Sequence, residues 1–436
     1  MVVFSVQKVS ALEILDSRGR PTVKATCILN EGTAASASVP SGASTGTAEA
    51  IELRDGDPKR YLGLGCREAV ANVNGEINRA LAGRTFLSQE EVDSVVRELD
   101  GTENKSRLGA NAQLAVSLSF ARACAHVRQV PLYQHFADML GQPLRTLPRL
   151  TVNLFSGGKH AGELCPLQDI LVVPVSATTI DRSLADTFAV YQSASKLIAK
   201  KYDMRPLSAD EGGLAPIFPH PEAMFSDAVE AIEQAGLRPG HDVALAVDVA
   251  SSHFHTESGY RLGERLLDSP AMIEQLVQWA KQYPLVSLED GLSEDDWEYW
   301  PKLRETLSGK VRVVGDDLLC TNPKRIRKAV KLGAADTLLL KVNQIGSLSE
   351  AKEAYLLARN AGWQVTVSAR SGETEDNWLA DLAVGWAGDQ IKVGSITQSE
   401  RLSKYNRLLE IEAETRLPLV AWPSPPLVPI ERVRWQ

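Results

Sequence analysis

Short apolar runs recur along the chain from residue 150 onward, and longer stretches with helical spacing of apolar residues separate most of them. Two of these amphipathic stretches cover residues 270–281 and 347–361. Eight buried strands with intervening helices predict an α/β fold containing a TIM-type barrel. The eight runs are residues 150–155, 169–175, 243–247, 285–288, 311–314, 337–340, 364–367 and 390–393.

The first two runs are connected differently from the others. The segment between them, residues 156–168, is too short and too rich in glycine to hold a helix. A parallel pair needs a long crossover connection, whereas an antiparallel pair does not. We therefore predict that the first two strands are antiparallel neighbours.

The part of the chain before the barrel has a different pattern. Residues 6–15 and 21–30 alternate like half-exposed antiparallel strands. A polar, glycine-rich stretch follows, and then helical spacing over residues 69–81 and 110–127. We predict two domains, an N-terminal α+β domain over residues 1–140 and a catalytic barrel domain over residues 141–436.

The amino-acid composition limits which partners the protein can have and in which compartment it is expected. The chain is 44% hydrophobic and 23% charged, with a net charge of -8 and no block of basic residues, which argues against nucleic acid or an anionic membrane as a partner. The five cysteines are scattered and form no Cys-x-x-Cys pair, as expected of reduced thiols. Without a signal-like N-terminus or a long apolar run, we predict a cytoplasmic protein.

Charged residues lie at the ends of six successive barrel runs. Any one of them could be a solvated loop charge. Strands of a barrel deliver their ends to a common rim, however, so a series of six indicates a functional site. The residues are Asp248, Glu289, Asp316 and Asp317, Lys341, Arg370, and Lys392, which lies within the eighth run.

The carboxylates among these residues suggest a metal. Three carboxylates that converge would repel one another unless a cation neutralised them, and oxygen ligands without cysteine or histidine favour Mg²⁺. Ion pairing with Lys341 and Lys392 is the alternative. Bound cations would also lower the pKa of a neighbouring lysine, so that one amine could act as a base.

Three loops add candidate binding groups. In residues 208–216 a carboxylate, Glu211, precedes two glycines, which suggests a tight turn that presents it to a ligand, although a plain surface turn is a respectable alternative. Residues 41–46 and 157–162 are also rich in glycine. Each is a weak indication of phosphate binding, and a flexible linker would explain either about as well.

At this point several blocks along the chain together resemble the enolase family. The resemblance implies a ββαα(βα)6 barrel with an N-terminal domain, a homodimer, two Mg²⁺ ions and a small phosphorylated or phosphonylated hydroxy acid as substrate. The blocks are residues 40–46, 210–213, 287–290, 314–317, 340–346, 368–376 and 399–401.

The same resemblance implies a role for individual residues. Lys341 would take the proton from C2 of the substrate, and Glu211, with Asp169 near the leaving hydroxyl, would help water depart. Lys392 would be catalytic and would hold the substrate carboxylate. The metal ligands would be Asp248, Glu289 and Asp316, with Ser44 closing over a second ion. The remaining substrate-binding positions would be His160, Lys159, Gln168, Ala369, Arg370 and Ser371.

The departures from the family lie around the substrate and not at the metal. Enolases have histidine at Ala369, usually glutamate at Asp169 and often serine at Lys159, and they read Thr-Gly-Ala-Pro where this chain has residues 393–396. Neutral drift explains the last two changes well and the first two poorly. Retained metal ligands beside an altered pocket predict the same elimination on a different substrate.

Three functional hypotheses follow. The first is an enolase-type dehydratase that acts on a carboxyphosphonate analogue of 2-phosphoglycerate and forms carboxyphosphonoenolpyruvate for phosphonate natural-product biosynthesis. The second is a glycolytic enolase that converts 2-phosphoglycerate to phosphoenolpyruvate. The third is an inactive enolase-like binding protein, against which the retained Lys341 and Glu211 count.

Overall fold

The computed structural model describes residues 3–30, 32–43, 45–162 and 165–422 of the chain. The first part forms a four-stranded antiparallel sheet with the spatial order β3-β2-β1-β4. Buried and partly exposed residues alternate along the second strand, as expected where one face of a sheet is covered. The strands are β1 (Phe4–Leu15), β2 (Pro21–Leu29), β3 (Ala34–Ser38) and β4 (Thr85–Phe86).

Helices cover this sheet, and the largest of them, residues 110–127, packs on β2 and β3. Ser88 caps the helix that follows β4 by accepting a hydrogen bond from the backbone N–H of Glu91, and Gly101 ends that helix in the left-handed conformation. The helices are α1 (Arg67–Asn72) and α2 (Asn78–Leu81), joined by the π-helical turn Val73–Ile77, then α3 (Gln89–Asp100), α4 (Ala110–Val127) and α5 (Leu132–Met139).

The rest of the chain is built on a closed barrel of eight strands. Three short strands outside the barrel, β8 to β10 in chain order, form a separate antiparallel sheet. In chain order the strands are β5 (Arg149–Ser156), β6 (Asp169–Val173), β7 (Ala244–Asp248), β8 (His255–Thr256), β9 (Gly259–Leu262), β10 (Arg265–Leu267), β11 (Leu285–Glu289), β12 (Arg312–Gly315), β13 (Thr337–Leu340), β14 (Gln364–Ser368) and β15 (Gln390–Gly394).

Strand β6 runs antiparallel to both of its neighbours, β5 and β7, and the other adjacent barrel strands are parallel. Among the described residues, eight α-helices surround the barrel, two between β6 and β7 and one after each of the barrel strands β7, β11, β12, β13, β14 and β15. They are α6 (Ile180–Lys201), α7 (Pro221–Gln234), α8 (Ser269–Gln282), α9 (Trp300–Leu307), α10 (Pro323–Leu332), α11 (Leu348–Asn360), α12 (Trp378–Gly385) and α13 (Ser399–Thr415).

The predicted fold class is confirmed, because each of the eight apolar runs forms a barrel strand and the order is ββαα(βα)6. The antiparallel pairing of the first two runs is also confirmed. The division of the chain into domains at residue 140 stays a prediction. All five cysteines are buried and free. No helix in the described ranges is long and apolar enough to cross a membrane.

Candidate active site

The charged residues predicted from the strand ends meet at one end of the barrel. Asp248 and Glu289 are the last residues of β7 and β11, and they are partners in the parallel ladder. Lys341 directly follows β13, and Lys392 lies in β15 opposite Ser368 of β14. The barrel therefore brings the charged residues predicted from the strand ends to a common rim.

Lys392 bridges two of the carboxylates. Its Nζ lies 2.9 Å from Asp248 Oδ2 and 2.9 and 2.8 Å from the two carboxylate oxygens of Glu289, and all three side chains are buried. Burial alone would lower the pKa of Lys392, but the two carboxylates outweigh burial and raise it well above its ordinary value. This lysine is therefore a fixed positive charge at the rim.

The two carboxylates differ in acidity. Burial opposes ionisation of Asp248, yet the Lys392 ammonium group overcomes this and lowers the pKa of Asp248 to about 2. The pKa of Glu289 is raised well above its ordinary range, first by burial and then by the charge of Asp248. Lys392 therefore keeps Asp248 ionised, whereas Glu289 needs further positive charge nearby to ionise fully.

Lys341 forms an ion pair with Asp316, whose other oxygen accepts a hydrogen bond of 2.9 Å from Gln344 Nε2. Burial would lower the pKa of Lys341, but Asp316 outweighs it and the net direction is upward. Arg370 and Lys392 also act to lower the pKa of Lys341 but do not reverse the rise, so the lowered lysine pKa expected from the sequence needs further positive charge.

A second acidic cluster, Asp290, Asp316 and Asp317, has carboxylate oxygens within 4.8 Å of one another. The Asp290 carboxylate accepts hydrogen bonds from the backbone N–H groups of Asp316 (2.9 Å) and Asp317 (2.7 Å), so it shapes the loop after β12. Burial and the neighbouring charge of Asp316 raise the pKa of Asp317 to about 8. Asp290 is not among the site residues predicted from the sequence.

The donor set fits a divalent cation. Five buried carboxylates, Asp248, Glu289, Asp290, Asp316 and Asp317, share the rim with two ammonium groups, those of Lys341 and Lys392. The excess negative charge is buried, where it is costly unless compensated. Oxygen-only donors of this kind suit Mg²⁺.

On the other side of the rim, Glu211 and Asp169 are each held by a polar side chain of β5. Asn153 Nδ2 donates to Glu211 Oε2 at 3.0 Å, and Ser156 Oγ donates to Asp169 Oδ1 at 2.6 Å. Gln168 Nε2 donates to Asp248 Oδ2 at 3.1 Å. Asn153 and Ser156 were not predicted as site residues, although they are polar positions within or beside an apolar run.

The predicted phosphate-facing residues form a third group. Arg370 donates to Glu49 and, at 3.0 Å, to Asn343 Oδ1, while Ser371 Oγ accepts a hydrogen bond of 3.1 Å from Arg18 Nη1. Glu49, Asn343 and Arg18 are not among the site residues predicted from the sequence. Each is a polar residue near a glycine-rich turn, and such residues are too common in a sequence to be singled out.

One small cavity joins these groups. Its wall includes Ala369, which is buried and occupies the position where the family resemblance leads one to expect a histidine. The backbone N–H groups of Ser41 and Gly372 each donate to the carbonyl of the other, so the predicted loop 41–46 is joined to the segment after β14. The lining residues are Ala43, Gln168, Glu211, Asp248, Lys341, Ser368, Ala369, Arg370, Ser371 and Lys392.

Three predicted residues do not line this cavity, because one lies elsewhere and two are not covered by the described residues. Lys159 is exposed and lines a neighbouring surface cavity with His253 and Arg261. Ser44 and the side chain of His160 lie outside the described residues.

Comparison with known protein families agrees with this arrangement. Residues 6–136 match the family described as "Enolase, N-terminal domain", and residues 144–417 match "Enolase, C-terminal TIM barrel domain". The second match alone covers more than half of the chain and includes every barrel strand, and the first covers the preceding sheet except for the first two residues of β1. The chain therefore belongs to the enolase family.

Proposed function

We propose that the protein is a Mg²⁺-dependent dehydratase of the enolase type whose preferred substrate is a carboxyphosphonate analogue of 2-phosphoglycerate, giving carboxyphosphonoenolpyruvate. Membership of the enolase family supports a lyase acting on a small phosphorylated acid. The observation that supports the more specific substrate is Ala369, which lies in the wall of the same cavity as Lys341, Lys392 and Arg370.

The basic and acidic groups needed for elimination are present around the cavity. Lys341 acts as the base that removes the C2 proton, and Glu211 assists departure of the C3 hydroxyl as water. The two side chains line the same cavity. Asp169 follows the cavity-lining Gln168 in the chain and accepts a hydrogen bond from Ser156. In this proposal it contributes to the side of the site from which the hydroxyl group leaves.

Asp248, Glu289 and Asp316 would hold Mg²⁺, and Ser44 is proposed to close over a second ion. When bound, Mg²⁺ supplies positive charge that stabilises the negative charge developing on the substrate carboxylate during proton removal. Lys392 holds the same carboxylate from the side of β15. In this proposal Arg370 and Ser371 face the phosphorus group, and binding of that group is also assigned to His160 and Lys159.

The two candidate substrates differ mainly in size. A phosphate ester and a carboxyphosphonate carry similar charge near neutral pH, so charge alone discriminates poorly between them. Replacing an oxygen by a carboxylate lengthens the phosphorus end of the molecule. A methyl group at residue 369 takes less space than an imidazole would, and the proposal requires Lys159 to move from the neighbouring surface cavity to supply a cation for the added carboxylate.

The test compares kcat/KM of the native protein for 2-phosphoglycerate and for its carboxyphosphonate analogue in the presence of Mg²⁺, with products followed by phosphorus NMR. We expect a preference for the analogue on the order of tenfold or more. Efficient turnover of 2-phosphoglycerate with no preference would support a glycolytic enolase instead. Failure to exchange the C2 proton of either compound would support an inactive binding protein. Cytoplasmic location and a homodimer remain part of the proposal.

A further inference from the structure

The strand β5 carries a one-residue bulge next to the candidate active site. Asn153 pairs with Leu171 of β6, and Phe155 pairs with Ile170, so Leu154 is an extra residue on β5. In a regular strand, residues three apart point to opposite faces. The extra residue shifts this alternation. Asn153 therefore pairs with Leu171 and Ser156 pairs with Asp169, and these two β6 residues lie on the same face of the sheet.

The bulge gives each of two carboxylates its own hydrogen-bond donor. Asn153 donates to Glu211, and Ser156 donates to Asp169 at 2.6 Å. Ser156 and Asp169 are direct partners in the ladder, and both are almost completely buried, with exposures of 1% and 0%. A hydrogen bond from a buried hydroxyl to a carboxylate is stronger than a neutral one and fixes orientation.

Ser156 also contacts the turn that carries Glu211. Its backbone N–H donates to the carbonyl of Leu214 at 2.9 Å. A Cβ atom added to Gly213 would lie 2.4 Å from Ser156 Oγ, so the hydroxyl packs directly against the glycine of this turn. The position of Ser156 is therefore coupled both to Asp169 and to the Glu211 turn.

We propose that Ser156 is a positioning residue that orients Asp169 for departure of the hydroxyl group, and that the β5 bulge sets the placement of Asp169 relative to Glu211. The inference rests on the proposed function, because it uses the roles given there to Asp169 and Glu211. Ser156 acts through Asp169 and lies outside the residues that line the cavity.

The first test is Ser156→Ala, which removes the hydroxyl and little else. We expect elimination to slow on the order of tenfold, as is typical when a hydrogen bond to a charged group is lost. Exchange of the C2 proton with deuterated water, followed by proton NMR on 2-phosphoglycerate and on its carboxyphosphonate analogue, should stay near the native rate. A general loss of structure would instead reduce exchange and elimination together, and that result would overturn the proposal.

Ser395→Ala is the matched control. Ser395 is fully buried, its backbone N–H donates to the carbonyl of Glu211, and its hydroxyl has no hydrogen-bond partner within the described residues. Removing this hydroxyl should leave both rates at the native value. If Ser395→Ala slowed elimination as much as Ser156→Ala, the effect would not depend on Asp169, and the inference would be wrong.

A double-mutant cycle tests the contact with the turn. In Gly213→Ala the new methyl group must displace the Ser156 hydroxyl, and Gly213 is not among the residues with positive φ, so its backbone tolerates alanine. We expect slower elimination in Gly213→Ala and no further loss when it is combined with Ser156→Ala, since the clash is then absent. Additive losses would contradict the proposal.

A structural readout separates this inference from the proposed function. A crystal structure of the native protein should show the Asp169 carboxylate in one orientation. In a crystal structure of Ser156→Ala the same carboxylate should be rotated or disordered. An unchanged carboxylate would overturn the positioning role whatever the substrate is. If the native protein acted on neither compound, the proposed function would be wrong. The comparison of the two crystal structures would still decide whether Ser156 positions Asp169.

Discussion

Arg370 and Glu49 form a paired contact in which Nη1 lies 3.0 Å from Oε2 and Nη2 lies 3.1 Å from Oε1. Both side chains are buried, and Glu49 Oε1 also accepts a hydrogen bond of 3.1 Å from the backbone N–H of Gly46. A two-point contact of this kind fixes the plane of the guanidinium group. The pair therefore connects the loop before Glu49 with the wall of the cavity.

Activity should require Mg²⁺, because the buried carboxylates at the rim outnumber the ammonium groups near them. Chelation should abolish activity, and Asp316→Asn should weaken Mg²⁺ binding by at least about tenfold while leaving the fold intact. Titration calorimetry and circular dichroism measure these two effects. Asp242→Asn is the control, since Asp242 precedes β7 at the end opposite Asp248. Full activity in metal-free buffer would refute the assignment.

Lys341 and Glu211 should affect different steps. Lys341→Ala should stop exchange of the C2 proton with deuterated water, because it removes the base. Glu211→Gln should still permit exchange but should block loss of the hydroxyl group. Proton NMR of the remaining substrate and an assay of the enol product distinguish the two variants. Normal exchange by Lys341→Ala would show that the roles are wrong.

Ala369→His should alter substrate choice more than catalytic capacity. The added imidazole would fill space beside Arg370 and Ser371, so kcat/KM for the carboxyphosphonate analogue should fall on the order of tenfold or more, while that for 2-phosphoglycerate should not. Steady-state kinetics with both substrates measure the ratio. An equal effect on both would mean that residue 369 does not select by size.

Gly385→Ala should destabilise the contact between α5 and α12. A Cβ atom at Gly385 would lie 2.5 Å from the carbonyl oxygen of Tyr133 and 2.6 Å from Phe136 Cβ. Overpacking of this kind costs roughly 1–3 kcal/mol of unfolding free energy. Gly75→Ala is the control, because the nearest atom to its added Cβ is Arg79 Nη1 at 3.8 Å. Equal stability of the two variants in urea unfolding would contradict the expectation.

His135 should make the protein sensitive to acid. Burial and then the neighbouring Arg128 lower the pKa of His135 to about 4, although Asp138 acts in the opposite direction. The unfolded chain, with a histidine pKa of about 6.5, then binds the proton more readily than the folded protein. Stability is therefore full above about pH 6.5 and falls, by up to about 3 kcal/mol, as the pH decreases toward 4.

Unfolding free energies across this pH range, compared between the native protein and His135→Gln, measure the effect. The variant should lose less stability on acidification because glutamine does not titrate. The same acid dependence in both proteins would show that other groups are responsible.

Much of the fold could be predicted because its signals are local. Apolar runs with intervening helical spacing specify strands and helices, and a glycine-rich gap too short for a helix implied the antiparallel β5–β6 pair. Asp248 and Glu289 could be grouped because strand ends in a barrel share a rim. These inferences need only the order of residues along the chain.

The partners of the site residues could not be predicted in the same way. Glu49 and Arg370 are separated by 321 positions, and no periodicity relates them. In a regular strand Asn153 and Ser156 would lie on opposite faces. The bulge at Leu154 instead pairs both of them with β6 residues of the same face. The pairing of Lys341 with Asp316 likewise depends on the positions of two separate strands.

The barrel, the family resemblance and the charged groups at the strand ends could be inferred from the order of residues, because each follows from local spacing or from short motifs. Three features became known from the folded chain: which donor holds which carboxylate, that Asp290 organises the loop bearing Asp316, and that Ala369 lies in the cavity wall. Hydrogen bonds and ion pairs act over a few ångströms, so they depend on strand register and bulges that residue order does not reveal.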